Sequence, residues 1–235
     1  MDGVPEHVVP AVTVALPGGG RARFTGRAAG DMGHGGAYVH AVSPEVAARR
    51  RAVLDLPWTW RRQVHGDTVV TVASPGEGAG SRADAAVTAE SGCALAVLTA
   101  DCAPVALASP EGVLGAAHAG WAGLLAGVLE RTVDAMAGLG ASTVAAVVGP
   151  CIEAGCYEFG PDDLDKVAAA VGPEVRARTR HGRPALDLAA GVRSCLGRAG
   201  VDRIDVMGVC TACSPDHWSW RARREQQRQA MVVWR

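Results

Sequence analysis

The stretch CALAVLTADCAPVALASPEGVLGAAHAGW, running from Cys93 to Trp121, carries the fold in outline. Cys93 to Thr99, Val105 to Ala108 and Val113 to Ala117 are short apolar runs bounded by turn residues, and they read as buried strands. Between the last two, Ser109-Pro110-Glu111-Gly112 has the composition of a four-residue turn, which makes a hairpin. Chemistry-bearing residues sit at the ends of these runs: Asp101-Cys102 before the hairpin and His118 near its close, followed by Gly120-Trp121.

Outward from this unit, Val69 to Val72 is a further β-branched run after a Gly66-Asp67 turn signal, and Ser74 to Ser81 is a turn-rich surface loop. Downstream, Leu125, Val128, Leu129, Thr132, Val133 and Met136 recur at three- and four-residue spacing. One amphipathic helix is therefore expected over Leu124 to Leu139, stopped by Gly138 and Gly140. Val144 to Val148 reads as a strand ending at Gly149-Pro150, and Pro161-Asp162-Asp163 opens a helix through Val171. A third helix is read from Asp187 to Arg198, closed by Gly200, and one more strand from Ile204 to Val209. Strands adjacent in sequence, mixed with helices that do not alternate strictly, favour an α+β layered fold, taken as a single domain over residues 1–235.

Composition narrows the function classes. With 23 basic and 24 acidic residues the formal charge is -1, so nothing global points to nucleic acid or an anionic membrane. Arg49-Arg50-Arg51 and the Arg221 to Arg228 segment are either anion contacts or solvated helix faces. The longest apolar run, Cys93 to Ala108, is interrupted by Asp101 and Pro104, well short of a membrane span. No basic stretch leads into an apolar segment near Met1, so a cytoplasmic protein is expected. The length asks for no partner to complete the fold, and a monomer or weak homodimer is expected. Seven scattered cysteines, an odd number, argue against a disulfide framework. Cys93 and Cys195 read as small core residues.

Three motifs place a metal ligand where an apolar strand meets a glycine or a turn: Gln63-Val64-His65-Gly66, the Asp101-Cys102 segment and Ala117-His118-Ala119-Gly120. Their spacing alone matches no zinc-finger pattern. Together with Gly149-Pro150-Cys151-Ile152, Cys156-Tyr157-Glu158-Phe159-Gly160, Cys210-Thr211 and Ser219-Trp220-Arg221, however, they resemble the laccase-domain family from about Phe24 onward. That family is also called polyphenol oxidase or YfiH-like, and its members are described as multifunctional purine nucleoside phosphorylases. The resemblance implies a layered α/β-sandwich/α fold with mixed sheets and a zinc site on His65, Cys102 and His118. Two imidazoles and a thiolate leave the fourth tetrahedral position open, which marks a catalytic site, and the same ligands could accept a copper ion.

By the same resemblance, the substrates are purine nucleosides and phosphate: phosphorolysis of adenosine, inosine, guanosine and methylthioadenosine, with deamination of adenosine. A helix beginning at Trp121 would offer free amides to phosphate beside Gly120, with Arg27, Arg50 and Arg62 as supporting cations. Asp101, in an apolar run, is either a hydrogen-bonded orienter or a general base. Departures from the family pattern are Ala122 for Arg, Arg49-Arg50 for Asn-Arg, and Gln226-Gln227-Arg228 for Thr-Gly-Arg. Alternatives are a zinc or cysteine hydrolase or amidase in peptidoglycan-precursor editing, the cysteine form with Cys102 as nucleophile and His118 as base, a single-copper polyphenol oxidase, and a lapsed binding protein. A true multicopper laccase does not fit seven histidines without a His-X-His pair, and the zinc deaminase signature is absent. Cys210 and Cys213 form a Cys-X-X-Cys read as structural, because no second pair accompanies it.

Overall fold

The computed structural model describes residues 11–33 and 42–235. In chain order the strands are β1 (Val12–Ala15), β2 (Arg21–Phe24), β3 (Trp58–Trp60), β4 (Val69–Thr71), β5 (Ala85–Thr88), β6 (Ala94–Thr99) and β7 (Ala103–Ala108). They continue with β8 (Leu114–Ala119), β9 (Ala145–Val148), β10 (Arg176–Arg178), β11 (Pro184–Leu186), β12 (Arg203–Val206) and β13 (Gln229–Trp234). The helices are α1 (Pro44–Val53), α2 (Trp121–Ala126), α3 (Val128–Gly138), α4 (Pro161–Val171), α5 (Leu188–Arg198) and α6 (Trp220–Arg223).

Two mixed sheets form the frame. One has the order β1-β2-β13-β6-β3 and the other β12-β9-β7-β8-β5-β4, while β10 and β11 make a separate hairpin. Side chains alternate between faces, and every central strand is covered on both. Leu95 and Val97 of β6 pack with Ala106 and Ala108 of β7, Leu114 of β8 and Met231 and Val233 of β13 between the sheets. Val105 and Leu107 of β7 point the other way, against Leu129, Met136, Leu164, Val192 and Leu196 of α3, α4 and α5. On the outer face of the five-stranded sheet, Trp58, Trp60, Ala94, Ala96 and Val232 form a third cluster that includes Met32 and is flanked by Val53 and Leu54. Double-sided burial is why these strands read as unbroken apolar runs, and it produces the expected layered α/β-sandwich/α arrangement.

The hairpin lies where the turn composition placed it, with Ser109 N–H bonded to the Val113 carbonyl at 2.9 Å. Pairing of Ala108 with Leu114 and Ala103 with Ala119 carries Cys102 and His118 to one end of the sheet. α4 matches the expected bounds, with Pro161 in its first turn and Asp162 and Asp163 beside it, and Asp187 caps α5 by accepting from Ala190 N–H at 2.9 Å. Cys93 and Cys195 are fully buried.

One expectation fails. The helix read from Leu124 to Leu139 is two helices, because Gly127 takes the left-handed conformation (φ 85°, ψ 29°), ending α2 and starting α3. The apolar stripe continues across the break, so periodicity alone did not show it. β13 was not anticipated: the charge run ending at Arg228 leads into a buried central strand between β2 and β6. Among the described residues no helix is long and apolar enough to cross a membrane.

Candidate active site

The chain passes from one sheet to the other twice at the same end of the sandwich. Between β3 and β4 it does so through His65, and between β6 and β7 through Asp101 and Cys102. Each crossing is a sharp corner, and each holds a non-glycine residue at positive φ: 60° at His65 and 113° at Asp101. Such backbone costs of order 1–3 kcal/mol and persists only where surrounding bonds over-determine it.

Those bonds are present. Asp84, its side chain wholly buried just before β5, accepts from the N–H groups of His65 (2.8 Å), Gly66 (2.8 Å) and Val64 (3.1 Å). The same carboxylate takes the Nδ1–H of His118 at 2.9 Å, which leaves His118 Nε2 to face the site. One acid thus fixes both histidines. At the other corner, Asp101 accepts from Thr211 Oγ1 at 2.7 Å and from Arg221 N–H at 2.6 Å, while its carbonyl accepts from Ile152 N–H at 2.8 Å. Both carboxylate oxygens are engaged by protein donors, which favours the orienting role for Asp101 over general base.

The ligating atoms of His65, Cys102 and His118 all lie within 4.8 Å of one another, with Cys102 Sγ 3.7 Å from His65 Nε2. An ion roughly 2.0–2.3 Å from each donor holds neighbouring donors about 3.3–3.8 Å apart, so the set fits one metal ion. Gly120 completes the fit: a Cβ there would stand 2.9 Å from His65 Cδ2 and 3.0 Å from Cys102 Sγ. Burial opposes charge on the Cys102 thiol, but the His118 and His65 imidazoles outweigh it and bring the thiol down to about 6. Burial likewise opposes the His118 charge, and Cys102 and Asp84 together push that imidazole up to about 9. Each group thus favours the charged form of the other.

The three donors open into a cavity of about 460 Å³ whose walls include Gln63, Trp121, Tyr157, Trp220, Arg221 and Arg228. This is within the usual range for small-molecule sites. Of the arginines singled out from sequence, Arg221 and Arg228 line it, whereas Arg27, Arg50 and Arg62 do not. Arg27 is ion-paired with Glu225, bonds the His217 carbonyl at 3.1 Å and stacks over Trp218 at 4.0 Å. Arg50 is on the buried face of α1, donating to the Met32 carbonyl at 2.8 Å beside Trp58 and Trp60, and burial lowers it to about 10. Arg62 pairs its backbone with Arg82 and is half-buried outside the cavity. Their places are taken by Arg221, which donates to the Glu158 carbonyl at 2.8 Å over the Tyr157 ring, and Arg228, which gathers the carbonyls of Glu225, Gln226 and Gln227. Ala122 lies outside the lining, and the six-residue α2 supplies less dipole to an anion near Gly120 than a long helix would.

Asp84 escaped the sequence reading, although a signal was there. It is an acid inside the apolar run Ala83 to Val87, and the burial argument applied to Asp101 holds equally for it.

Residues 34–235 match the family described as multi-copper polyphenol oxidoreductase laccase. A protein named purine nucleoside phosphorylase from Streptomyces coelicolor is 47% identical over 194 residues, 81% of this chain and 80% of that one. Another of that name from Streptomyces griseus is 42% identical over 215 residues, 87% of each. Among solved structures, a Neisseria meningitidis protein aligns with TM-score 0.78 at 29% identity, covering 95% of this chain and 98% of that one. YlmD from Geobacillus stearothermophilus aligns with TM-score 0.78 at 26% identity, covering 99% and 94%.

Proposed function

The chain belongs to the multi-copper polyphenol oxidoreductase laccase family, and on that premise we propose that it is a metal-dependent purine nucleoside phosphorylase acting on adenosine, inosine, guanosine and methylthioadenosine. The observation that carries this reading is the composition of one cavity, in which the three-donor cluster, aromatic rings and two arginines meet. Trp121, Tyr157 and Trp220 offer faces to a purine. Arg221 and Arg228 offer donors to phosphate oxygens. His65, Cys102 and His118 would hold zinc, with copper as the competing ion, and such an ion supplies a Lewis acid with one open position. Asp84 sets the tautomer and aim of His118, and Asp101 keeps Cys102 at the mouth of the corner.

Phosphorolysis attaches phosphate to the sugar carbon as the glycosidic bond breaks, so the products are a free purine and a pentose 1-phosphate. Incubation of the purified protein with inosine should release hypoxanthine only when phosphate is added. Purine release at the same rate without phosphate, giving free ribose, would replace the phosphorylase by a hydrolase. Deamination of adenosine is the accompanying activity implied by the family likeness, and its marker is inosine formed without phosphate.

A second reading has its own observation. Cys102, His118 and Asp84 stand in line as nucleophile, base and orienting acid, the arrangement of a cysteine hydrolase. Metal removal separates the two readings: a phosphorylase dependent on the ion loses activity, whereas a cysteine hydrolase gains a free thiolate.

A further inference from the structure

A second group of soft donors lies outside the cavity. Cys210 and Cys213 stand at either end of a tight turn closed by Cys213 N–H and Ser214 N–H to the Cys210 carbonyl, at 3.3 and 2.9 Å. Cys156, ending the short turn Ala154–Cys156, projects to the same point from a segment 54 residues away in sequence (210 minus 156). The three sulfurs lie within 4.8 Å of one another, and those of Cys156 and Cys213 are 2.9 Å apart. Cys210-X-X-Cys213 has no second pair in sequence, but Cys156 supplies a third sulfur in space.

Thiols buried only as small apolar residues need no polar partners. Here polar partners converge: Arg180 Nη2 lies 3.0 Å from Cys213 Sγ, and Glu153 N–H donates to Cys210 Sγ at 3.4 Å. A guanidinium and a backbone N–H aimed at sulfur offset the negative charge of thiolates. The cluster also grades from buried Cys210 through half-buried Cys156 to exposed Cys213, which leaves an ion a way in. Thiolates at about 2.3 Å from one tetrahedral ion stand about 3.8 Å apart, so the Cys156 and Cys213 sulfurs, at 2.9 Å, would move apart by somewhat under 1 Å to share it.

The segments that meet here are the ones that grip Asp101. Thr211, next to Cys210, donates to the Asp101 carboxylate, and Ile152 N–H donates to its carbonyl. The two segments are joined to each other by a bridge between Cys151 and Cys210, with Thr211 N–H bonded to the Cys151 carbonyl at 3.1 Å.

We propose that Cys156, Cys210 and Cys213 bind a second, structural ion, a thiophilic d10 cation (zinc or copper(I)), which locks together the segments that hold the Asp101 corner. All-sulfur donation selects soft ions of this class. Each thiol gives up its proton on binding, and Arg180 balances part of the resulting charge.

The test uses the full-length chain purified under reducing, anaerobic conditions, in a His65→Ala, Cys102→Ser background that removes the first donor set. Elemental analysis should still find one zinc or copper per chain, and its identity distinguishes the two ions. After chelation, added cobalt(II) should restore sulfur-to-cobalt charge-transfer absorption of a multi-thiolate site. Adding Cys213→Ser, at an exposed position where folding is not at risk, should abolish both signals, and so should Cys210→Ser. The chelator should lower the melting temperature of the parent but not of the Cys213→Ser chain. Absence of bound metal with all thiols reduced overturns the proposal, as does metal binding unchanged by Cys213→Ser. A Cys156–Cys213 disulfide that re-forms after reduction in preference to metal binding overturns it too, making the cluster a redox pair.

Discussion

The two donor clusters are built on different supports. His65, Cys102 and His118 stand where strands of the two sheets turn into one another, with a single buried carboxylate, Asp84, bonded to one histidine ring and to the backbone of the other. Cys156, Cys210 and Cys213 stand on turns, and their polar partners are an exposed guanidinium and one backbone amide. The first cluster faces a cavity with aromatic and cationic walls, whereas the cavity's lining includes none of the three cysteines of the second. Rigid, pre-aimed donors beside an open space suit chemistry on a substrate, and donors gathered from separate turns suit cross-linking of those turns.

The hardest blow to that contrast is His118→Ala. It removes a donor and strips Asp84 of a partner, so bound metal and activity should both be nearly lost, with a stability cost of about 1–3 kcal/mol from the disturbed buried carboxylate. Elemental analysis and urea denaturation read the two effects separately. Next comes Asp84→Asn, which keeps all three ligands and the side-chain size but turns an amide N–H toward other N–H donors. Metal affinity should fall about 10–100-fold in a chelator competition, the range for outer partners of ligating histidines. Unchanged affinity would mean that the sheet corners, without the acid, suffice to aim the ligands.

Gly120→Ala acts by crowding alone. Its Cβ must push back His65 or Cys102, costing about 1–3 kcal/mol, and the loss should appear in metal affinity more than in the unfolding midpoint. A smaller effect is expected from Arg221→Ala, because the guanidinium is exposed and the contact to Asp101 runs through its backbone N–H. The phosphate KM should rise roughly fivefold to tenfold, about 1–1.4 kcal/mol for a partly screened charged contact, with kcat little changed. Ala122→Arg, restoring the residue usual in the family, should move that KM less than Arg221→Ala does, since position 122 is not in the cavity wall.

Legibility in the sequence followed how local the determining interaction is. α4 was read with its bounds because Pro161 and the acids after it act within one turn. Gly127 was missed because a single left-handed residue leaves the apolar stripe intact on both sides. Arg50, in a run of three, reads as a phosphate contact or a solvated helix face, yet it is on the buried face of α1 against two tryptophans contributed by β3. The N-terminal strands β1 and β2, with arginines alternating at 21 (exposed) and 23 (half-buried), lacked the continuous apolar character of the core strands.

What the sequence by itself determined is the hairpin between Cys102 and His118, since a four-residue turn fixes the register and the register brings both to one sheet end. Only the tertiary structure decided the rest. His65 arrives through Asp84, 19 residues away, and Arg221 meets Asp101 across 120 residues. The pairing of Gln229 with Thr99 sets Gln226 and Arg228 beside the Cys102 corner, and Cys156 reaches Cys213 across 57 residues. Such contacts leave no periodicity in the chain, because they depend on how two sheets pack face to face and where the chain crosses between them.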